Sequence, residues 1–160
     1  MVRNNLTIDY TDYESKEEMP EDEKRLVEAA QDAAERAYAP YSKFNVGAAL
    51  LLKNGEVITA SNQENAAYPS GLCAERTAIF YANSKYPHTP IIKIAVAAKV
   101  NGKPTTDLTY PCGACRQVLQ ESQIRGGEKI KIIVASNTTI RVLESVECLL
   151  PFAFDNLGKD

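Results

Sequence analysis

The sequence predicts an α/β fold in which helices cover both faces of a central sheet. Apolar residues recur at helical spacing through residues 21–38, and an Asn54-Gly55 turn between two extended segments is typical of a β-hairpin. Ile91–Lys99 is a nearly continuous apolar run, as expected of a strand that is buried on both faces. Strands that alternate with helices along the chain favour this layered arrangement.

The first forty residues contain one clear element. Leu6–Tyr10 alternates in polarity and could form an edge strand, but residues 1–19 fit a loose polar arm equally well. Pro20 suits the start of a helix, and the acidic run Glu21–Glu23 suits the positive end of the helix dipole. This first helix is expected to run to about Tyr38, because Pro40 cannot continue it.

The other elements follow from alternation, helical spacing and turn residues. The predicted segments are, in chain order, strands at Phe44–Leu52 and Glu56–Ser61, a loop at 62–71, a helix from about Cys73 to before Pro87, a strand at Ile91–Lys99, a loop at 101–110, a helix from about Gly113 to before Gly126, strands at Ile130–Ala135 and Thr138–Val142, and a short helix at Ser145–Leu150.

Composition limits the classes of protein and partner. A chain of 160 residues with 44% hydrophobic and 24% charged residues fits one globular domain with a sizeable core. The net charge is −3 and no basic cluster is present, so we expect no nucleic-acid partner. No signal-like segment opens the sequence, and the longest apolar runs are too short to cross a bilayer. We therefore expect no membrane partner and a cytoplasmic location.

Three cysteines have the spacing of metal ligands. Cys112 and Cys115 form a C-x-x-C pair, and Cys73 lies 39 positions before Cys112. In a reducing compartment such cysteines favour metal binding or redox chemistry over disulfides. Both motifs fall at predicted helix starts, where unpaired N–H groups and the dipole stabilise thiolates. A redox pair and half of a structural zinc site remain open alternatives for the C-x-x-C pair alone.

A carboxylate beside the first cysteine favours a catalytic zinc site. Three protein ligands leave a tetrahedral zinc one position for water, and Glu75 is a candidate to move the protons of that water. Neither Cys148, in an apolar context, nor His88, in a proline-flanked loop, is an obvious fourth ligand. Arg76 is expected either to hydrogen-bond a thiolate or to be an ordinary solvated helix residue.

These motifs resemble those of the small, homo-oligomeric cytidine deaminases. The resemblance covers roughly residues 22–157 and leaves out the first twenty. It is carried by Ala39-Pro-Tyr-Ser-Lys-Phe-Asn-Val-Gly-Ala-Ala49, Asn62-Gln-Glu-Asn-Ala-Ala-Tyr68, Cys73-Ala-Glu-Arg-Thr-Ala78, Pro111-Cys-Gly-Ala-Cys-Arg-Gln117 and Leu149-Leu-Pro-Phe-Ala-Phe154.

The resemblance implies a zinc enzyme that converts cytidine and deoxycytidine to uridine and deoxyuridine in pyrimidine salvage, with release of ammonia. One Zn²⁺ per chain is held by Cys73, Cys112 and Cys115, and Glu75 carries protons from water to ring N3 and the leaving amine. It also implies a three-layer α/β/α sandwich whose mixed central sheet has about five strands. Residues 1–20 are then an N-terminal extension, and residues 21–160 are the catalytic domain.

The resemblance also assigns residues that hold the nucleoside. Phe44 matches the aromatic residue that stacks on the base, and Asn62 and Glu64 match the pair that binds the ribose 3′-hydroxyl. Tyr41 and Tyr68 match positions near the substrate or a subunit contact. Without the resemblance, Phe44 and the two tyrosines are most simply packing residues, and Asn62 and Glu64 a polar turn.

Self-association is a further implication of the resemblance. It implies a homotetramer with active sites at subunit interfaces, and Phe154 matches an aromatic residue that reaches a neighbouring subunit's site. The alternative for Phe154 is a tail that packs on its own core. Two functional alternatives also stay open: a zinc deaminase for another aminopyrimidine, and a zinc-stabilised binding module without turnover.

Overall fold

A mixed sheet carries one α-helix on one face and two on the other in the computed structural model, which describes residues 1–155. The strands are β1 (Tyr10–Tyr13), β2 (Phe44–Leu52), β3 (Val57–Ser61), β4 (Ile91–Val100), β5 (Lys103–Pro104), β6 (Lys131–Ala135) and β7 (Ile140–Leu143), and the helices are α1 (Glu21–Ala34), α2 (Ala74–Lys85) and α3 (Gly113–Gly126). Short 3-10 turns lie at Lys16–Glu18, Tyr68–Ser70 and Val146–Cys148.

The strand order is β1-β7-β6-β4-β2-β3, and β5 folds back onto β4. Strands β4 and β6 are parallel, and the other neighbouring pairs are antiparallel. Helix α3 connects the two parallel strands, as such a crossover requires. The predicted three-layer α/β fold with a mixed sheet is therefore confirmed.

Alternation along the central strands divides the core between the two faces of the sheet. In β2, Ala48 and Leu50 face α2 and α3, whereas Ala49 faces α1. The larger cluster lies on the α2 and α3 face and includes Ile79, Leu119, Ile132 and others that are fully buried. No helix within residues 1–155 is long and apolar enough to cross a membrane.

Within residues 1–155 the sheet has seven strands instead of the expected five or so. One added strand is β5, a two-residue pairing inside the predicted 101–110 loop. The other is β1, which takes the edge-strand alternative for the N-terminal segment but lies at Tyr10–Tyr13 instead of Leu6–Tyr10. The predicted short helix at Ser145–Leu150 is only a 3-10 turn at Val146–Cys148.

Helix α1 ends at Ala34, four residues before the predicted end. The chain then forms a tighter turn, in which the N–H of Arg36 donates to the carbonyl of Ala33 three residues back. Tyr38 has left the helix: its N–H donates to the carbonyl of Asn62, and its carbonyl accepts from the N–H of Glu64. Pairing with a distant segment therefore ends the helix before Pro40 is reached, and it fixes the segment that carries Glu64.

Candidate active site

Two helix N-termini converge at the cysteine motifs. Cys73 is the N-cap residue of α2 and Cys112 is the N-cap residue of α3, both with extended backbone. Neither thiol caps its own helix, so both sulfur atoms are available to a ligand. Cys115 lies in the first turn of α3 and is fully buried.

The three sulfur atoms have the spacing of a zinc site. The Sγ atoms of Cys73 and Cys112 are 3.8 Å apart, those of Cys112 and Cys115 are 3.5 Å apart, and all three lie within 4.8 Å of one another. Four ligands placed tetrahedrally about 2.3 Å from a zinc ion are separated by about 3.8 Å. The first two distances therefore match the separation of ligands around a tetrahedral zinc, and all four cysteines of the chain are free of disulfides.

The surroundings of the thiols favour negative charge on Cys73. The pKa of Cys73 is lowered to about 5, first by a hydrogen bond with Cys115 and then, against its partial burial, by Arg76 and Cys112. Arg76 donates from Nη2 to the Cys73 sulfur at 3.8 Å. The pKa of Cys115 is raised, first by its hydrogen bond with Cys73 and then by burial. Arg76 thus lies where sequence analysis put a thiolate partner.

Glu75 is a buried carboxyl group beside the thiols. It lies in the first turn of α2 with 4% of its surface exposed. Burial is the main cause that raises its pKa, and the charge of Cys73 acts in the same direction, while a hydrogen bond with Cys115 opposes it. Few acidic side chains are this buried unless they are paired or functional, so Glu75 has the environment expected of a proton carrier.

A cavity of about 470 Å³ opens beside Cys73. Its walls include Tyr41, Asn62, Glu64, Tyr68 and Arg76 among the residues singled out from the sequence, and Ser42, Gln63, Asn65, Gly71 and Leu72 in addition. The rings of Tyr41 and Tyr68 meet edge to face with centroids 5.9 Å apart. A cavity of this size suits a small organic molecule.

Glu64 is fixed at the cavity wall by backbone donors. Its Oε2 accepts from the N–H groups of Tyr41 at 2.9 Å and Ser42 at 3.3 Å. A hydrogen bond with Ser42 is the largest cause that lowers the pKa of Glu64, and the contact with Tyr41 adds to it. Glu64 is therefore an anion at neutral pH with a defined position.

Asn62 lines the cavity, and its side chain also hydrogen-bonds the backbone of β2. Its Oδ1 accepts from the N–H of Val46 at 2.8 Å, and its Nδ2 donates to the carbonyl of Phe44 at 2.9 Å. The side chain therefore makes the backbone hydrogen bonds that a neighbouring strand would otherwise make at the start of β2. The sequence alone does not indicate this use of the amide, because it depends on the pairing of residues far apart in the chain.

The two phenylalanines assigned from the resemblance do not line the cavity of the described chain. Phe44 is half-buried at the first position of β2. Phe154 is 67% exposed, and its carbonyl accepts from Nε2 of Gln117 at 2.7 Å. Phe154 therefore does not pack into its own core, which was the alternative to its role in a neighbouring site.

Arg116 supports the segment that leads into Cys112, but it was not among the site residues predicted from the sequence. Its Nε donates to the carbonyl of Pro111 and its Nη1 to the carbonyl of Leu149, both at 2.8 Å. These bonds join the start of α3 to the segment after β7. An arginine directly after the second cysteine of a C-x-x-C pair is the only sequence signal that pointed to it.

The comparisons with known proteins agree with this site. Residues 20–127 match the family model described as the cytidine and deoxycytidylate deaminase zinc-binding region. A protein named cytidine deaminase from Halalkalibacterium halodurans is 49% identical over 100 residues, which are 62% of this chain and 71% of that protein. Another from Sporosarcina psychrophila is 45% identical over 100 residues, which are 62% of this chain and 69% of that protein.

Solved structures extend the similarity to the whole fold. The crystal structure of cytidine deaminase from Burkholderia pseudomallei shares 40% identity and a TM-score of 0.68 and covers 85% of this chain and 100% of its own. That from Mycobacterium tuberculosis shares 32% identity and a TM-score of 0.66 and covers 84% and 98%. The fold and the three-cysteine centre define a zinc-binding α/β protein. The chain belongs to the cytidine and deoxycytidylate deaminase family.

Proposed function

We propose that this protein is a zinc-dependent cytidine deaminase, which hydrolyses cytidine and deoxycytidine to uridine and deoxyuridine and releases ammonia. The observation that carries the proposal is the buried carboxyl group of Glu75 beside three thiols at zinc-ligand spacing. The relatives named cytidine deaminase support the choice of substrate. The reaction serves pyrimidine salvage, the usual role of this activity.

Cys73, Cys112 and Cys115 hold one zinc ion per chain in this proposal. When bound, zinc acts as a Lewis acid that activates a water molecule at neutral pH. Three thiolates donate much negative charge to a metal, which weakens this effect. Arg76 takes up part of the charge of Cys73 through its contact at 3.8 Å, and a ligand partner of this kind tunes the metal centre.

Glu75 moves the protons. Deamination forms a bond from water oxygen to C4 of the base, breaks the bond from C4 to the exocyclic nitrogen, and transfers protons to N3 and the departing amine. Glu75 accepts a proton from the water, delivers it to N3 and then assists protonation of the leaving ammonia. Its burial keeps bulk solvent away from these transfers.

The cavity walls hold the nucleoside. The Glu64 carboxylate, positioned by two backbone N–H groups, accepts a hydrogen bond from the ribose 3′-hydroxyl. The Nδ2 group of Asn62 bonds the carbonyl of Phe44 with one N–H, and its second N–H donates to the oxygen of the same hydroxyl. Because Glu64 is an anion, it repels a phosphate and favours a free nucleoside. Tyr41 and Tyr68 flank the substrate. Stacking of Phe44 on the base stays a prediction from the resemblance, since Phe44 does not line the cavity of the described chain.

A homotetramer completes the site in this proposal. Tyr68, Phe152 and Phe154 are 74%, 89% and 67% exposed in the single chain, which is unusual for aromatic residues. Phe44 and Phe154 both lie outside the walls of the cavity in the described chain. Phe154 of one subunit then closes the cavity of the next. Light scattering of the purified protein measures the assembly directly.

The domain boundaries and the location are part of the same proposal. Residues 1–20 form an extension and residues 21–160 form the catalytic domain, which is supported by the start of the family match at residue 20. A reducing compartment, the cytoplasm, suits a site built from free thiols.

A spectrophotometric assay of the zinc-loaded protein with cytidine tests the function. We expect conversion to uridine by the wild type and, for Glu75→Ala, at least about a 100-fold lower kcat, since a general acid–base group contributes about 10²- to 10⁴-fold. Zinc content should remain one per chain in the variant. Glu121→Ala, an exposed glutamate of α3, is the control and should retain full activity. Equal turnover by Glu75→Ala and the wild type would end the proposed mechanism.

A further inference from the structure

Arg141 connects the N-terminal strand to the segment that leads into the metal site. It lies on β7 directly opposite Asp12 of β1. Its Nε and Nη2 donate to the two carboxylate oxygens of Asp12 at 2.7 and 2.6 Å, which makes a bidentate pair. The ring of Tyr10 lies against the same guanidinium group, 3.9 Å from ring centroid to Cζ. Strand β1 therefore fixes Arg141 from two sides.

The remaining side of the guanidinium group faces Tyr110. Nη1 of Arg141 donates to the hydroxyl oxygen of Tyr110 at 2.9 Å. The Tyr110 ring packs against the larger core cluster, and the chain continues through buried Pro111 to Cys112. A single residue, Pro111, thus separates Tyr110 from Cys112, the first cysteine of the C-x-x-C pair.

Cys112 depends on such contacts more than the other two thiols do. It is exposed, whereas Cys73 is half-buried and Cys115 is buried, so packing constrains Cys112 least. Two arginines instead hold the segment before it. Arg116 bonds the carbonyl of Pro111, and Arg141 bonds the hydroxyl of Tyr110. The family match covers residues 20–127, so it includes Tyr110 but neither Arg141 nor strand β1.

We propose that Arg141 is a positioning residue for the metal site: it holds the Tyr110–Cys112 segment in place, and strand β1 holds Arg141 through Asp12 and Tyr10. The N-terminal strand thereby slows the loss of zinc from the site. This inference rests on the zinc site of the proposed function. The pKa of Asp12, lowered first by its hydrogen bond with Arg141, agrees with a firmly held pair.

The rate of zinc release from the full-length, zinc-loaded protein into excess colorimetric chelator tests this inference. Loss of a hydrogen bond to a metal ligand costs about 10- to 100-fold in affinity or activity. The Tyr110 contact acts one step further from the ligand, so we expect release from Tyr110→Phe and from Arg141→Met to be about 3- to 10-fold faster. The double variant should be no faster than the faster single variant, because the two residues act through one contact.

The control is Tyr13→Phe. It removes a phenol hydroxyl from strand β1, at a ring that packs on the α1 face of the sheet instead of the face that carries the larger core cluster. It should release zinc at the wild-type rate. In the cobalt-loaded protein, Tyr110→Phe should also shift the thiolate-to-metal absorption bands, a change that a general loss of stability does not produce. Asp12→Asn is the second variant, for use if Arg141→Met does not fold. It keeps Arg141 but weakens the bidentate pair that holds it, so it should also make zinc release faster.

Wild-type release rates in Tyr110→Phe, or independent effects of the two substitutions in the double variant, would overturn the inference. The experiment needs no substrate. Absence of cytidine turnover in the zinc-loaded wild type would therefore refute the proposed function and leave the result on Arg141 unaffected.

Discussion

Replacement of Gly47 by alanine should separate helix α1 from the sheet. A Cβ atom at Gly47 would lie 2.0 Å from the carbonyl oxygen of Ala30 and 2.5 Å from the nitrogen of Ala34. Ordinary contact begins near 3.4 Å, so α1 would have to move by about 1.4 Å along the shorter contact. Both opposing atoms are backbone atoms, and no side-chain rotation can relieve the overlap.

The expected cost lies at the upper end of the range for overpacked cores, about 3 kcal/mol in the free energy of unfolding. For a domain of this size that corresponds to a fall of about 6–12 °C in Tm. Circular dichroism during heating of the zinc-saturated protein measures it. The control is Gly113→Ala, at a helical position where an added Cβ meets nothing within 4 Å, and its Tm should not fall. A change below about 0.5 kcal/mol for Gly47→Ala would refute this account of the packing of α1.

Three further perturbations test the site and its support. Asn62→Asp should lower the free energy of unfolding in denaturant by about 1–3 kcal/mol, because a carboxylate still accepts from Val46 but cannot donate to the carbonyl of Phe44. The pKa of Glu64 is lowered below 4.5, first by Ser42, so its contribution to stability is present above that value and is lost as the pH falls through the folded-state pKa. Thermal melts between about pH 3 and 6 should thus show a smaller acid-induced loss for Glu64→Gln than for the wild type. Removal of zinc by a chelator should lower Tm, and added zinc should restore it. If the free zinc concentration before removal is 1,000 times the Kd, the loss corresponds to about 4 kcal/mol in the free energy of unfolding.

Local sequence signals predicted the elements that carry the metal ligands. The Asn54-Gly55 turn and the alternation around it located the hairpin, and β2 has the predicted bounds. The predicted starts of α2 and α3 were also correct, and each follows a segment predicted as a loop. The end of α1 and the strands β1 and β5 were not predicted correctly, since each depends on pairing with residues that are distant in sequence.

The same distinction applies within the site. The three cysteines and Glu75 could be named from spacing and residue type, and the structure brings the three sulfur atoms within reach of one ion. The structural use of Asn62 and the contact of Arg141 with Tyr110 could not be foreseen. Both join segments whose proximity follows from the order of strands in the sheet, which no local pattern encodes.

The distance between the two cysteine motifs is set by how closely α2 and α3 pack. Within each motif, helix geometry fixes the ligands, since Cys112 and Cys115 are three residues apart and lie on one face. Between the motifs no local rule applies. Three small residues of α2 are buried in the cluster that also contains Leu119 of α3: Ala74, Ala78 and Ala82. The two helices also share a hydrogen bond, which Nδ2 of Asn83 donates to the hydroxyl of Ser122 at 3.3 Å. Small side chains let neighbouring elements approach closely, so we expect the alanines of α2 to contribute to the sulfur spacing that the metal requires.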